Sequence, residues 1–271
     1  MKIILSNLHT HSTFCDGKNT PEEIVRYAVD KGFASIGFSG HVHTAYDLRY
    51  CMMDTEGYIA EINRLKAKYK GKIKILLGCE EDAFSRVDRS RFDYIIGSCH
   101  YYLVDGKHLP IDSSYDYFKA CLETFNYDPI KMAEVYYGSF YGYLKCRRPD
   151  IVGHYDLITK FDEQGESRFL ENAKYREIAE SYALKIADLG CMFEVNTGAI
   201  TRGFRKTPYP SEHLLHVLKN QDAKLILTSD SHSVETLDGA FEETADYLYD
   251  LGFRHLYAPG EVGFVPYKLK P

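Results

Sequence analysis

Short apolar runs alternate along this chain with segments whose apolar residues recur at helical spacing. The first run, Ile3 to Leu8, precedes a helix with a complete start signal: Thr20 as N-cap, Pro21 at the first helical position and Glu23 three residues past the cap. Gly32 closes that helix. A second strand is expected over Ala34 to Ser39. It leads to a helix from about Thr55 to Tyr69, where Ile59, Ile62 and Leu65 share one face and Gly71 supplies the stop. Ile73 to Cys79 and Tyr94 to Cys99 are the third and fourth runs.

From about residue 105 to 148 the spacing lengthens and tyrosine becomes frequent, with helices expected on either side of Asp128-Pro129. This stretch reads as an elaborated crossover or lid inserted into one domain. The alternation resumes with Asp150 to Val152, a helix from about Arg168 to Leu189 stopped by Gly190, and a strand over Cys191 to Val195. A helix near Ser211 to Asn220 follows Pro210. The strand Lys224 to Leu227, a helix around Phe241 to Leu251 and a weak strand, Arg254 to Tyr257, complete the series.

Repeated βα units imply a mainly parallel sheet, and seven or eight of them imply closure into a barrel. The 271 residues suit one α/β barrel domain spanning 1–271, and no linker-like tract divides them. An open doubly wound sheet is the alternative, but it offers no reason to place chemistry at every strand end.

Composition narrows the function classes. With 45% hydrophobic and 27% charged residues the chain has an ordinary globular profile. Its net charge of -6 provides no global positive field for nucleic acid or an anionic membrane. No apolar run approaches the length of a signal-peptide core or a membrane span, so a cytoplasmic protein is expected. The seven cysteines are scattered, with no C-x-x-C pair, and read as reduced thiols, mostly buried.

The chemistry gathers where the strands end. His9 and His11 follow the first strand, and residues i and i+2 project from one face, so both imidazoles can meet one ion. Asp16 lies in the next loop, His41 follows strand two, Glu80 ends strand three, His100 strand four and His154 strand five. Strand seven runs out into Asp230 and His232, a second i, i+2 pair. In a barrel all of these point into one bowl at the carboxyl ends of the strands. Nine such groups packed together would repel one another and pay for desolvation, and divalent cations relieve both costs. His43, two residues beyond His41, and Glu81 and Asp82, beside Glu80, leave the ligand register open at those two points. His108, His213, His216 and His255 are expected in loops or helices rather than at strand ends, and to be structural.

The runs Leu8-His9-Thr10-His11-Ser12 with Asp16-Gly17, Ser39-Gly40-His41, Gly78-Cys79-Glu80, Gly97-Ser98-Cys99-His100, Val152-Gly153-His154 and Ser229-Asp230-Ser231-His232 together resemble the polymerase and histidinol phosphatase (PHP) family. The length, the Ser-Gly-His-Val-His turn, the tyrosine-rich insertion and Tyr209-Pro210-Ser211 are most similar to its monofunctional L-histidinol-phosphate phosphatases. The resemblance implies a distorted TIM-like (β/α)7 barrel holding three divalent ions, zinc, iron or manganese. One would be bound by His9, His11, Glu80 and Asp230, a second by Glu80, His100 and His154, and a third by Asp16, His41 and His232. Two departures stand out. Many relatives carry histidine where this chain has Asp16, and Asn196 to Lys206 is longer than the family's Asn-Thr-Ser-Gly-Leu-Arg-Lys pattern.

The implied reaction is hydrolysis of a small phosphate monoester in histidine biosynthesis, with Glu80, Asp230 and His232 as catalytic residues. Asp230 or His232 is the expected proton source for the leaving alkoxide. Arg202 and Arg205, after strand six, and Lys160, after His154, are the expected phosphate contacts. A PHP nuclease or phosphodiesterase would use the same metals, but the basic groove it needs has no signature here. An amidohydrolase would need a metal-bridging lysine near mid-chain, for which no convincing candidate exists. A non-catalytic metal-binding module has no reason to keep every ligand type at its strand end.

Overall fold

A computed structural model describes residues 4–165 and 168–269. Ile3, where the first apolar run was expected to begin, lies outside the described residues. Seven parallel strands follow one another in the order β1 (Ser6–Asn7), β2 (Ser35–Phe38), β3 (Lys74–Asp82), β4 (Tyr94–Ser98), β7 (Ile151–Val152), β8 (Met192–Asn196) and β9 (Leu225–Thr228). Thr10 forms a parallel bridge to Ser231, with His11 N–H donating to Ser231 O at 2.8 Å and Ser231 N–H to His9 O at 3.1 Å. That bridge joins the exit of β9 to the exit of β1 and closes the barrel.

The helices form where their local signals stand. In α1 (Pro21–Lys31) the Thr20–Glu23 capping box is complete and Gly32 adopts the left-handed conformation at the C-cap. Helix α2 (Thr55–Lys68) buries Tyr58, Ile62 and Leu65, while Ile59 is only half-buried. With α1 it packs on the outward-facing Ile75 and Leu77 of β3. Inside the barrel, Tyr94 crosses β2 and β3 at Gly37 and Gly78 and donates to Leu8 O and Phe38 O. A Cβ on Gly78 would stand 2.3 Å from that ring, so only glycine fits there.

The insertion contains more than helices. A two-stranded antiparallel hairpin, β5 (Tyr101–Val104) and β6 (Lys107–Pro110), turns at Asp105-Gly106 and precedes α3 (Tyr115–Thr124) and α4 (Pro129–Arg147). Asp128 caps α4 by accepting from Ile130 and Lys131 N–H, as the Asp-Pro pair suggested. Helix α4 packs against α5 (Ala173–Ala187) as an ordinary crossover helix.

Two sequence expectations shift. Helix α5 starts at Ala173 rather than near Arg168, because Asn172 caps it after a 3₁₀ turn over Phe169–Glu171. After α6 (Gly198–Thr201), α7 (Glu212–Asn220) and α8 (Phe241–Asp250), the weak final strand becomes β10 (His255–Pro259). It pairs antiparallel with β11 (Phe264–Lys268) and does not join the barrel, which is already closed at seven strands. Tyr257 and Phe264 of this hairpin pack on Leu8, Leu76, Ile151, Met192 and Ile226, and Lys74, the first residue of β3, donates to Gly260 O. The hairpin thus covers the end of the barrel where the strands begin. Among the described residues no helix is long and apolar enough to cross a membrane.

Candidate metal centre and active site

Strand β3 decides the carboxylate register. It continues as a strand through Asp82, so its side chains alternate inward and outward. Glu80 and Asp82 face the barrel mouth, whereas Glu81 points outward to Arg147, with both oxygens bonded at 2.7 and 2.6 Å. Glu81 is therefore structural. Asp82 accepts from the His100 backbone N–H at 2.8 Å and lies 3.2 Å from His100 Nδ1, orienting that ring. His43 is exposed, and its Nδ1 lies 3.9 Å from Cys51 Sγ, away from the cluster.

All nine expected ligand residues converge. Glu80 Oε2 stands 3.2 Å from His9 Nε2 and 3.6 Å from His11 Nε2, while Asp230 Oδ1 stands 3.5 and 3.1 Å from the same nitrogens. The other oxygen, Glu80 Oε1, lies 3.3 Å from His100 Nε2 and 3.0 Å from His154 Nε2. Asp16 Oδ2 is 3.7 Å from His41 Nε2 and 3.3 Å from His232 Nε2, with His11 Nδ1 at 3.5 Å from Asp16 Oδ1. His41 is also tied to Glu80 through its Nδ1, at 3.0 Å from Oε2.

These spacings suit cations. Ligand atoms about 2.0–2.2 Å from a tetrahedral ion stand about 3.3–3.6 Å apart. His9 Nε2, His11 Nε2 and Glu80 Oε2 are buried, face one another and have no hydrogen-bond partner among the described residues. Buried polar atoms rarely remain so. A mixed imidazole and carboxylate set of this kind fits a borderline divalent metal.

The electrostatics agree. Burial would depress His9, but Glu194, Glu80 and Asp230 outweigh it and raise His9 well above an ordinary histidine. Burial, with His232 and His41 alongside, pulls His11 down to about 3. Burial would raise Glu80 and Asp230, yet the histidines around Glu80 and Arg202 beside Asp230 hold both carboxyls well below their usual range.

Above the cluster is a cleft of about 340 Å³ lined by Asp16, His41, His100, His154, Asp230 and His232, together with Lys160, Arg202, Tyr50, Tyr101, Asp47 and Asp112. Arg202 donates to Asp230 Oδ2 and to Asp230 O, both at 2.8 Å, and Lys160 Nζ bonds Asp112 O at 2.6 Å. Both cations therefore belong to the cleft. Arg205 does not. Its side chain is 1% exposed and donates to Thr159 Oγ1 and Ser211 Oγ, 3.7 Å from the buried carboxylate of Asp156. The expected phosphate contact is instead an interior ion pair, because Asp156, Thr159 and the Ser211 hydroxyl hold the guanidinium inside.

Of the four histidines set aside, His108 and His255 stand on the hairpin strands β6 and β10 rather than in loops or helices, but none of the four enters a potential metal group among the described residues. His108 stacks on Tyr46 at 3.8 Å and His216 lies 3.9 Å from Glu212 along α7. What sequence reasoning missed is Glu194, 2.8 Å from His9 Nδ1. A signal existed: an acidic residue inside the apolar run Met192-Phe193-Glu194-Val195, where charges are rare unless paired.

A sequence profile of the PHP domain matches residues 7–198. The chain belongs to the PHP domain family. Over 271 aligned positions this PHP chain is 27% identical to the Schizosaccharomyces pombe protein named "Probable histidinol-phosphatase", covering 92% of this chain and 87% of the relative. It is 25% identical to the histidinol-phosphatase of Bacillus subtilis, covering 86% and 96%. A crystal structure of histidinol phosphate phosphatase from Lactococcus lactis subsp. lactis, complexed with zinc, L-histidinol and phosphate, superposes with a TM-score of 0.73. At 20% identity, over 97% of this chain and 99% of that one, the match establishes the shared PHP barrel.

Proposed function

We propose that the chain is a metal-dependent phosphomonoesterase that converts L-histidinol phosphate and water to L-histidinol and inorganic phosphate. The observation that carries this reading is the placement of Glu80, whose two oxygens face two different sets of imidazole nitrogens beneath a cleft bearing Lys160 and Arg202. The Asp16, His41 and His232 group makes a third set, so three ions, zinc, iron(II) or manganese, are the proposed complement. Such ions, when bound, lower the pKa of coordinated water and neutralise phosphoryl oxygens.

The chain's own residues do the rest. Lys160 and Arg202 offer cationic donors to the outer phosphate oxygens, and arginine can bond two at once. Hydrolysis takes a proton from the attacking water and returns one to the leaving alkoxide. Asp230 is placed to carry it: it lines the cleft, and Arg202 beside it keeps the carboxyl ionised, so a proton taken up there is readily passed on. His232 is less suited, because its Nδ1 faces Asp230 O at 2.9 Å and its Nε2 faces Asp16. The cleft volume suits a small ester, and the histidinol head group rests on the names of the relatives. The reading takes residues 1–271 as one barrel domain with 105–148 inserted. The seven unpaired cysteines suit a reducing compartment such as the cytoplasm.

The test pairs metal analysis with phosphate release from L-histidinol phosphate and cleavage of a single-stranded oligonucleotide. Release from the first without cleavage of the second, lost on chelation and restored by added metal, is expected. Oligonucleotide cleavage alone would overturn the substrate, and full activity in metal-free protein would overturn the mechanism.

A further inference from the structure

Glu194 is wholly buried on β8, does not line the cleft, accepts from three donors and faces a ring nitrogen of His9. Its Oε2 faces His9 Nδ1 at 2.8 Å and Thr228 Oγ1 at 2.9 Å. Its Oε1 accepts from the backbone N–H of His154 at 2.5 Å and from Asn196 Nδ2 at 2.8 Å. The Asn196 amide is itself oriented, because its Oδ1 accepts from Gly198 N–H at 2.8 Å. An ionised carboxylate has no hydrogen to give, and with three donors already on it Glu194 can only accept from His9. His9 must then carry a proton on Nδ1, so Nε2, which faces Glu80 Oε2 and Asp230 Oδ1, is the ring nitrogen left to bind an ion.

We propose that Glu194 is a positioning residue shared by two metal groups. Its Oε2 fixes the tautomer and ring plane of His9, and its Oε1 pins the backbone from which His154 reaches Glu80. One buried carboxylate therefore sets a ligand on each side of the bridging Glu80, and its loss weakens both groups together. The third group, built from Asp16, His41 and His232, makes no bond to Glu194 and is independent of it. The inference rests on the metal-dependent reading above, but not on the identity of the substrate.

Glu194→Gln is the deciding variant, because it keeps the shape and adds an N–H donor. Placed at Oε2, the amide nitrogen confronts His9 Nδ1–H and drives the ring to the tautomer that carries its proton on Nε2, where the ion binds. Placed at Oε1, it confronts the His154 N–H. Competition with a chromophoric zinc chelator should show affinity falling roughly 10- to 100-fold at two sites, with the remaining site retained. Thr228→Val, which removes one donor to Glu194 but not the His9 contact, should keep wild-type zinc affinity.

A folded Glu194→Gln protein with wild-type zinc affinity and stoichiometry would overturn the proposal, as would equal loss in Thr228→Val. Should the glutamine variant fail to fold, nitrogen-15 NMR of the zinc-loaded wild type decides. A slowly exchanging His9 ring proton on Nδ1 is expected, and a proton on Nε2 refutes the assignment. A wild type that binds zinc but leaves L-histidinol phosphate intact would sink the proposed substrate while this comparison still stands or falls by itself.

Discussion

Replacing Arg205 with methionine distinguishes an interior ion pair from a phosphate contact. The side chains of Arg205 and Asp156 are 1% and 0% exposed, and the guanidinium also stacks 4.5 Å from the Tyr209 ring centre. Removing one partner of a buried pair typically costs about 3–5 kcal/mol, because the other charge is left uncompensated. Here Asp156 keeps two donors, the N–H and hydroxyl of Ser211, so the lower end, about 3 kcal/mol, is expected. Methionine retains much of the packing volume, which keeps a cavity term from inflating the result. For a chain of this size that loss corresponds to a fall in Tm of roughly 6–12 °C. Urea denaturation followed by far-UV circular dichroism reads it directly. The double variant Arg205→Met/Asp156→Asn should recover at least about 1 kcal/mol relative to the sum of the singles, since the two sites are coupled. A loss below about 1 kcal/mol would refute the reasoning. So would unchanged stability with a raised KM, which would return Arg205 to the substrate.

Arg202→Ala should raise KM for the phosphomonoester roughly 10- to 100-fold, the equivalent of one charged hydrogen bond, and lower kcat as Asp230 loses its partner; steady-state kinetics with wild-type Tm and metal content as controls checks it. Gly78→Ala should cost about 1–3 kcal/mol in urea denaturation, because its Cβ would meet the Tyr94 ring inside a filled barrel. Asp47 is held at about 2, below its ordinary 3.8, by hydrogen bonds from Arg49. Its contribution to stability is therefore complete above pH 3.8 and disappears as pH falls through about 2. The difference between wild type and Asp47→Asn in denaturation midpoints from pH 6 to pH 2 should shrink along that course; a pH-independent difference would contradict it.

Much of the barrel was legible because its signals are local. The Thr20–Glu23 box and the Asp128-Pro129 start each act over a few residues and sit where they were expected, and the runs from Ala34, Ile73 and Tyr94 carry β2, β3 and β4. The β5–β6 hairpin is equally local, with Asp105-Gly106 at its turn in left-handed conformation, yet it lies outside the strands expected from the apolar runs, because its second strand, Lys107–Pro110, forms no such run. The terminal hairpin was different. Nothing in Arg254 to Tyr257 says whether a strand will join a sheet or cover its end; that depends on the barrel having closed already.

By itself the sequence determined the alternation of strands and helices and the chemical type of residue at each strand exit, because periodicity and capping are written within a few residues. Tertiary structure decided what those residues do. The inward phase of a long β3 selected Glu80 over Glu81, and the Thr10–Ser231 bridge brought His9 and His11 to Asp230 from the other end of the chain. Strand β8 placed Glu194 under His9, and the pairing with Asp156 drew Arg205 into the interior. A ligand's identity is local, but its distance to another ligand depends on register and closure, and those belong only to the folded chain.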